Sequence, residues 1–368
     1  MNLDVVFGTR PEWLKLVPVV LALQPRSGTV RVRTVFTGQQ PDLVRPLLAR
    51  WGFRPDVDLA DVPRDLSLST KLAHMLRGLD AAFAESPPDC VLVQGDTLST
   101  FAGALASYYR GIPFDHVEAG LRTFDLDNPF PEEFHRTVVG TAARMHYCPT
   151  PLARENLLQE GVPSARTLVT GNTSMDALRL AKSLPPSNAA VLDAVEGANR
   201  NAFLVTLHRR ENLPLLETEI LPAMRDVLTA FPDMRLIWVL RPGPAHEILR
   251  TSLRDDPRVS LVEPLDFVDI LHVLTRVGGV FTDSGGLSEE CAALGVPTLV
   301  LRQATERVES LQSGNAALVG NRRPSIVRES IAVLGNPAWL SRMQQPVTLY
   351  GDGHAADRIV DHLLGGAP

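Results

Sequence analysis

Short runs of Val, Leu, Ile and Phe recur along this chain, and longer stretches of helical period follow them. The runs predict strands at Asp4–Phe7, Arg31–Thr37, Cys90–Gln94, Phe114–Glu118, Ala202–Thr206, Arg235–Leu240, Val277–Thr282 and Thr298–Arg302. The periodic stretches predict helices that include Pro11–Leu23, Thr97–Tyr109, Glu132–Ala143, Pro151–Glu160, Leu287–Leu294 and Ala355–Leu364. Strands alternating with helices imply βαβ units, hence parallel sheets covered by helices on both faces. The alternation runs twice, interrupted by a softer segment with Leu184-Pro-Pro-Ser-Asn188, which puts a domain boundary around residues 171–200. Ligands of such sheets sit outside the carboxyl ends of the strands, so two facing domains make a cleft lined by strand-to-helix loops.

Composition narrows the class. A chain of 368 residues is too long for one ordinary core. Hydrophobic content of 45% and charged content of 21% are those of a globular protein. A formal net charge of -6 without a long basic run argues against nucleic acid as a partner. The N-terminus has no charged leader ahead of an apolar region and no stretch reaches the length of a membrane span, so a cytoplasmic protein without membrane contact is expected. Cys90, Cys148 and Cys291 are odd in number and widely spaced, which suits small buried residues better than disulfides or zinc. The histidines show no metal-ligand spacing, so no metal is expected.

Candidate chemistry falls at strand ends. Gly8-Thr-Arg-Pro-Glu12 follows the first strand, where Arg10 and Lys15 can reach the cleft; an ordinary βα turn explains it equally well. It lacks the Gly-x-Gly-x-x-Gly pattern of dinucleotide sites. Asp96, in Gln94-Gly-Asp-Thr97, has a sufficient structural reason in helix capping. Glu118, in His116-Val-Glu-Ala-Gly-Leu-Arg122, does not, because parallel strands are normally apolar throughout; His116 and Glu118 are expected on one face of the strand. Glu132 and Glu133 open a helix, where acids suit the macrodipole and Arg136 makes an i,i+4 pair with Glu132. Beside Glu118, one of them completes a cluster of acids whose mutual repulsion raises their pKa toward neutrality. In the second half, His208, Arg209 and Arg210 can neutralise a diphosphate. Ser284, Gly285 and Gly286 form a strand-to-helix turn whose amides suit a phosphate, and Glu290 can accept hydrogen bonds from a ribose.

Together with Thr170-Gly-Asn-Thr173, Thr305-Glu-Arg307 and Tyr350-Gly-Asp-Gly353, these motifs resemble, in order and over nearly the whole chain, the non-hydrolysing bacterial UDP-N-acetylglucosamine 2-epimerases. The resemblance implies an α/β fold of two Rossmann-like domains with a cleft between them, glycosyltransferase B-like. It implies residues 1–171 for the acid/base domain, 172–350 for the UDP-binding domain, and 351–368 for a helix crossing back to the first. It implies reversible conversion of UDP-N-acetylglucosamine to UDP-N-acetylmannosamine by elimination of UDP to 2-acetamidoglucal and re-addition, with neither metal nor other cofactor, in a homodimer. Asp96, Glu118, Glu132 and His208 would be catalytic. Arg10, Lys15, Arg136, Arg209, Phe267, Ser284, Gly285, Gly286, Glu290 and Arg307 would bind substrate.

The departures are selective. Thr37-Gly-Gln-Gln40 followed by Asp42 replaces the family's Thr-Gly/Ala-Gln-His; Asp65 lies where an arginine is common; Val239-Leu-Arg241 replaces Pro-Val-His. His135 replaces the family's Asn, and Ser288 its Gln. In many members the first three regions help bind a second, activating UDP-N-acetylglucosamine. An altered activator site at Gln39, Gln40, Asp42, Asp65 and Arg241 is therefore expected, with Asp42 and Asp65 repelling a diphosphate. Three other readings stay open: a hydrolysing relative that releases N-acetylmannosamine and UDP, a non-catalytic nucleotide-sugar sensor, and a glycosyltransferase.

Overall fold

The computed structural model of this chain describes residues 1–188, 195, 200–207, 209–240, 243–305 and 308–365. These fall into two compact units, Met1–Leu180 with Tyr350–Pro368, and Ala181–Leu349.

The first unit is built on strands β1 (Asn2–Phe7), β2 (Arg31–Phe36), β3 (Val57–Asp58), β4 (Cys90–Gln94), β5 (Phe114–Val117), β6 (Met145–Cys148) and β7 (Thr167–Val169). They pair in parallel in the order β3-β2-β1-β4-β5-β6-β7. Its helices are α1 (Arg10–Leu23), α2 (Pro41–Arg50), α3 (Leu68–Glu85), α4 (Leu98–Tyr109), α5 (Glu132–Ala142), α6 (Pro151–Gln159) and α7 (Thr173–Ala181). Successive residues of β1 serve opposite faces, as the pleat requires. Val5 and Phe7 pack with Trp13 and Leu16 of α1, while Val6 packs with Met75, Leu79 and Phe83 of α3.

The second unit has strands β8 (Ala202–Thr206), β9 (Arg235–Val239), β10 (Val259–Val262), β11 (Gly279–Thr282), β12 (Thr298–Val300) and β13 (Ala316–Leu318), all parallel, in the order β10-β9-β8-β11-β12-β13. Its helices are α8 (Leu221–Ala230), α9 (Pro244–Leu253), α10 (Phe267–Leu274), α11 (Gly285–Leu294), α12 (Val308–Ser313), α13 (Arg323–Leu334) and α14 (Pro337–Met343). Both sheets reverse direction of winding once, between β1 and β4 and between β8 and β11, which are the switch points where doubly wound sheets bind ligands.

The last helix, α15 (Ala355–Leu363), packs on the first unit: Ala356, Ile359 and Val360 join the core around β1 and α1. Its N-terminus is capped from a distance. The buried Asp176 carboxylate on α7 accepts the Ala355 and Ala356 amides at 3.1 and 3.0 Å.

Several predicted elements change at their ends: the strand expected at Thr298–Arg302 stops at Val300, and the helix expected from Leu287 starts at Gly285. The strand at Phe114 stops at Val117, and Glu118 turns left-handed with φ 62°, so His116 and Glu118 do not share a strand face. Val277 is not yet strand, because its amide closes a turn back to the Val273 carbonyl at 3.1 Å.

Candidate active site

Folding of the β1–α1 turn brings the first candidate residues together. Thr9 caps α1, and the buried Glu12 accepts the Gly8 and Thr9 amides at 3.1 and 2.8 Å. The Thr97 and Thr100 hydroxyls, at 2.7 and 3.0 Å, complete its shell. Burial pushes the Glu12 carboxyl upward, and these donors oppose that shift. Glu12 is thus a clasp between the β1 and β4 turns. Gly8 admits no side chain there: a Cβ would lie 1.9 Å from Ser99 Oγ and 2.1 Å from Thr37 Oγ1.

Glu118 emerges just beyond β5 in a backbone conformation that costs a non-glycine residue roughly 1–2 kcal/mol. Its buried carboxylate is heavily held. Lys15 Nζ donates to both oxygens at 2.5 and 2.6 Å, Asn172 Nδ2 to Oε1 at 3.0 Å, and Gln94 Nε2 to Oε2. Three elements meet on this one group: α1, the end of β4, and the turn before α7. Lys15, expected to contact the substrate, is here the counter-ion of Glu118.

Asp96 follows β4, half-buried, between Gly95 (φ 73°) and the α4 cap Thr97. Arg136 Nη2 donates to its carboxylate at 2.5 Å, and His135 Nδ1 to its main-chain carbonyl at 2.9 Å. Arg136 therefore pairs with Asp96 and, at 3.2 Å, with Glu133, not with Glu132. The two acids at the head of α5 have separate fates. Glu133 is buried, and its Oε1 accepts the Thr123 and Phe124 amides at 2.9 and 3.0 Å, tying down the loop after β5. Glu132 is half-buried, and its carboxylate has no hydrogen-bond or ion-pair partner among the described residues. Asp96 and Glu132 both act electrostatically on His135, and Asp96 and Glu118 both act on His116. The three acids are thus gathered at one end of one sheet. Arg10, at the first position of α1, is half-buried.

Beneath the acids, His116 donates Nε2–H to the Gly95 carbonyl at 2.7 Å, while its Nδ1 and both nitrogens of the neighbouring buried His146 lack partners among the described residues. Burial holds both rings neutral, lowering His116 to about 4 and His146 to about 3.

The residues expected to alter an activator site line up along the β2–α2 turn and after β3. Gln39 Oε1 accepts the Ser99 amide and hydroxyl at 2.9 and 2.5 Å, and the Gln40 amide bonds the Gly8 carbonyl at 2.9 Å. The exposed Asp42 pairs with Arg64, and Asp65 is exposed.

In the second unit the corresponding turns also clasp each other. Thr206 and Thr282 hydroxyls at the ends of β8 and β11 lie 2.7 Å apart. The buried Asp283 accepts the Arg209 amide at 3.0 Å and Asn212 Nδ2 at 2.9 Å. Ser284 caps α11 by accepting the Leu287 amide at 3.4 Å, and Ser288 hydroxyl donates to the Ser284 carbonyl at 2.9 Å. Gly285 and Gly286 form the open first turn: Gly286 is exposed, and nothing lies within 4 Å of a Cβ placed there. Phe267 is buried at the start of α10, and Glu290 is half-buried on α11. His208, Arg241 and Arg307 lie outside the described residues.

Gln94 and Asn172 were missed as partners of Glu118, and of the two acids offered at the head of α5 it is Glu133 that holds the loop. Gln94 carried the same signal as Glu118, a polar residue ending an apolar parallel strand. Nothing in sequence separates the buried Glu133 from Glu132. Among the described residues no group of three or more His, Cys, Asp or Glu is placed to hold a metal ion, and no helix is long and apolar enough to cross a membrane.

The geometry has clear relatives. The family model described as UDP-N-acetylglucosamine 2-epimerase matches residues 22–364. The chain is 38% identical over 360 residues to the Bacillus subtilis UDP-N-acetylglucosamine 2-epimerase, covering 98% of this chain and 94% of the relative. The crystal structure of UDP-GlcNAc 2-epimerase from Neisseria meningitidis, bound to UDP-GlcNAc, matches with a TM-score of 0.91 at 33% identity, covering 99% of this chain and 100% of that one. Acinetobacter baumannii MurG, at 14% identity and a TM-score of 0.60 over 98% of each chain, shares the glycosyltransferase B-like fold alone. With its two parallel α/β sheets and a match of this extent, the chain belongs to the UDP-N-acetylglucosamine 2-epimerase family of isomerases.

Proposed function

We propose that this protein interconverts UDP-N-acetylglucosamine and UDP-N-acetylmannosamine. A carboxylate removes the C2 proton, the C1–O bond breaks with its electron pair leaving on UDP, and a C1–C2 double bond forms in 2-acetamidoglucal. Addition of UDP oxygen to C1 and protonation of C2 on its other face complete the epimerisation. No electrons are gained or lost overall.

The observation that carries this reading is the pair of carboxylates, Glu118 and Asp96, at the ends of β5 and β4, each fixed by its own cation. With Glu132 they are the acid/base groups of the proposal, since proton transfer at carbon needs an acid or base held in place. Arg10 serves the sugar and phosphate side, and Lys15 holds the Glu118 carboxylate. The α11 N-terminus at Ser284, Gly285 and Gly286 binds the diphosphate through first-turn amides and the helix dipole, helped by Arg209. Glu290 takes the ribose, and Phe267 a place beside the nucleotide. By family resemblance His208 is assigned as a catalytic histidine near the diphosphate and Arg307 to the UDP site.

The activator response is proposed to be altered. Support comes from Gln39, whose carbonyl already accepts from Ser99, and from Asp65, which leaves an acid in this region. A hyperbolic velocity curve in UDP-N-acetylglucosamine is expected; a strongly sigmoidal one overturns it. A homodimer is proposed as well, supported by the exposed apolar side chains Tyr108 and Tyr109 of α4 and Phe134 and Val138 of α5.

The reaction itself is tested by incubating the protein with UDP-N-acetylglucosamine in deuterated water and following proton and phosphorus NMR. UDP-N-acetylmannosamine with deuterium at C2 is expected. Free UDP with free N-acetylmannosamine would place the protein with hydrolysing enzymes, and no exchange would refute epimerisation.

A further inference from the structure

Asp96 is gripped from two sides by consecutive residues of α5. Arg136 holds its carboxylate, and His135 holds its main-chain carbonyl. That carbonyl lies outside the α4 ladder, whose first turn bonds the Phe101 amide to the Thr97 carbonyl at 3.0 Å. The preceding residue is Gly95 in a left-handed conformation, whose own amide and carbonyl are bonded to Val117 and His116 and so do not hold the Asp96 peptide. Asp96 therefore needs an external anchor to present its carboxylate in one place.

His135 is built as that anchor. It is 5% exposed, and its ring stacks on Phe101 with centroids 4.9 Å apart and planes 16° from parallel. Phe134 packs against it at 6.2 Å. A carbonyl has no proton to give, so the 2.9 Å contact fixes the proton on Nδ1 and leaves Nε2 as the lone-pair nitrogen. The neutral and cationic rings both carry the Nδ1 proton, so the anchor holds in either state. The charged groups that bear on the ring are Asp96 from the β4–α4 turn and Glu132 from α5; α4 meets it with the Phe101 ring.

We propose that His135 is a positioning residue for Asp96, its Nδ1–H fixing the Asp96 carbonyl so that the carboxylate is held ready for proton transfer. The inference rests on the epimerase reading, in which Asp96 is an acid/base group. The role requires a donor at one position of the ring, not a titrating imidazole.

The two ring nitrogens can be separated by substitution. His135→Asn puts an amide N–H close to where Nδ1 lies, His135→Gln puts it farther out, and His135→Phe keeps the stacking ring with no donor. Steady-state kinetics with UDP-N-acetylglucosamine, the pH profile of kcat, and thermal unfolding are measured for each. Misplacement of a reacting group costs on the order of tenfold to hundredfold in rate. That loss is expected in kcat of His135→Phe and His135→Gln with KM little changed, while His135→Asn recovers most of kcat with both limbs of the pH profile unmoved. If His135→Asn falls as far as His135→Phe, or loses a limb of the profile, the donor role is wrong. Wild-type activity in His135→Phe overturns it as well. Should His135→Phe fail to fold, the Asn and Gln variants carry the same comparison. Wild-type protein that makes no UDP-N-acetylmannosamine refutes the epimerase reading itself, a separate result.

Discussion

Lys15 Nζ, on the first helix, lies 2.5 and 2.6 Å from the two carboxylate oxygens of Glu118, which is 103 residues further along the chain. The pair neutralises a charge that is otherwise buried at the end of β5, and it holds Glu118 in a strained backbone conformation. Neither residue is optional for the other.

Glu118→Gln should therefore lower kcat by about 10²–10⁴-fold, the usual share of a positioned acid or base. Lys15→Met takes the cation away from the buried carboxylate and should destabilise the protein by about 2 kcal/mol. The double variant should be more stable than the sum of the two losses predicts, by about 1 kcal/mol or more. Urea unfolding of the four proteins measures this, and strict additivity would show the pair to be uncoupled.

Gly286 gives stability and ligand binding opposite signs. A methyl group there meets nothing within 4 Å, and alanine favours helix over glycine by roughly 0.5–1 kcal/mol. Gly286→Ala should keep or raise Tm, yet weaken UDP binding by about tenfold by crowding the amides of the α11 first turn. Calorimetric titration with UDP decides it. An unchanged Kd would remove the diphosphate from this turn.

The buried histidines make stability fall in acid. Their folded pKa values, about 4 for His116 and about 3 for His146, lie below the ordinary 6.5, so the unfolded chain binds their protons first. Stability is complete above about pH 6.5 and is lost as pH falls toward 4 and 3. At pH 5 each costs roughly 2 kcal/mol relative to pH 7. His146→Phe removes one of these protons together with two unpartnered buried nitrogens, so it should be near neutral at pH 7 and more stable than wild type at pH 5. Denaturation at both pH values tests this; parallel losses in the two proteins would mean His146 is not kept neutral by the fold.

Phe134 and Val138 are one helical turn apart on α5, 45% and 37% exposed, and the Phe134 ring lies 5.9 Å from Phe101 of α4. If this face buries itself against a second copy, Phe134→Glu with Val138→Glu should convert a dimer to a monomer in sedimentation equilibrium while leaving the circular dichroism unchanged. A wild-type monomer at micromolar concentration would end the proposal.

Much of this was legible in the sequence because its signals are local. Apolar runs such as Cys90–Gln94, followed by helical periodicity, specify parallel α/β units, and their turns specify where a site must lie. Glu118 stood out because a carboxylate is out of place at the end of a buried strand. Short or polar strands such as Val57–Asp58 and Met145–Cys148 gave no such signal, since they are strands only by virtue of the neighbours that pair with them.

The sequence by itself determined which residue types stand at the strand ends: the acids Asp96, Glu118 and Glu132, and the glycine turn at 285–286. Only the tertiary structure decided their partners. It gave Lys15 to Glu118, Arg136 to Asp96 and Arg64 to Asp42, and it divided Glu132 from the loop-holding Glu133. The reason is range: strand and helix preferences act over a few residues, whereas the donors that hold a carboxylate arrive from segments brought together only when the sheet assembles.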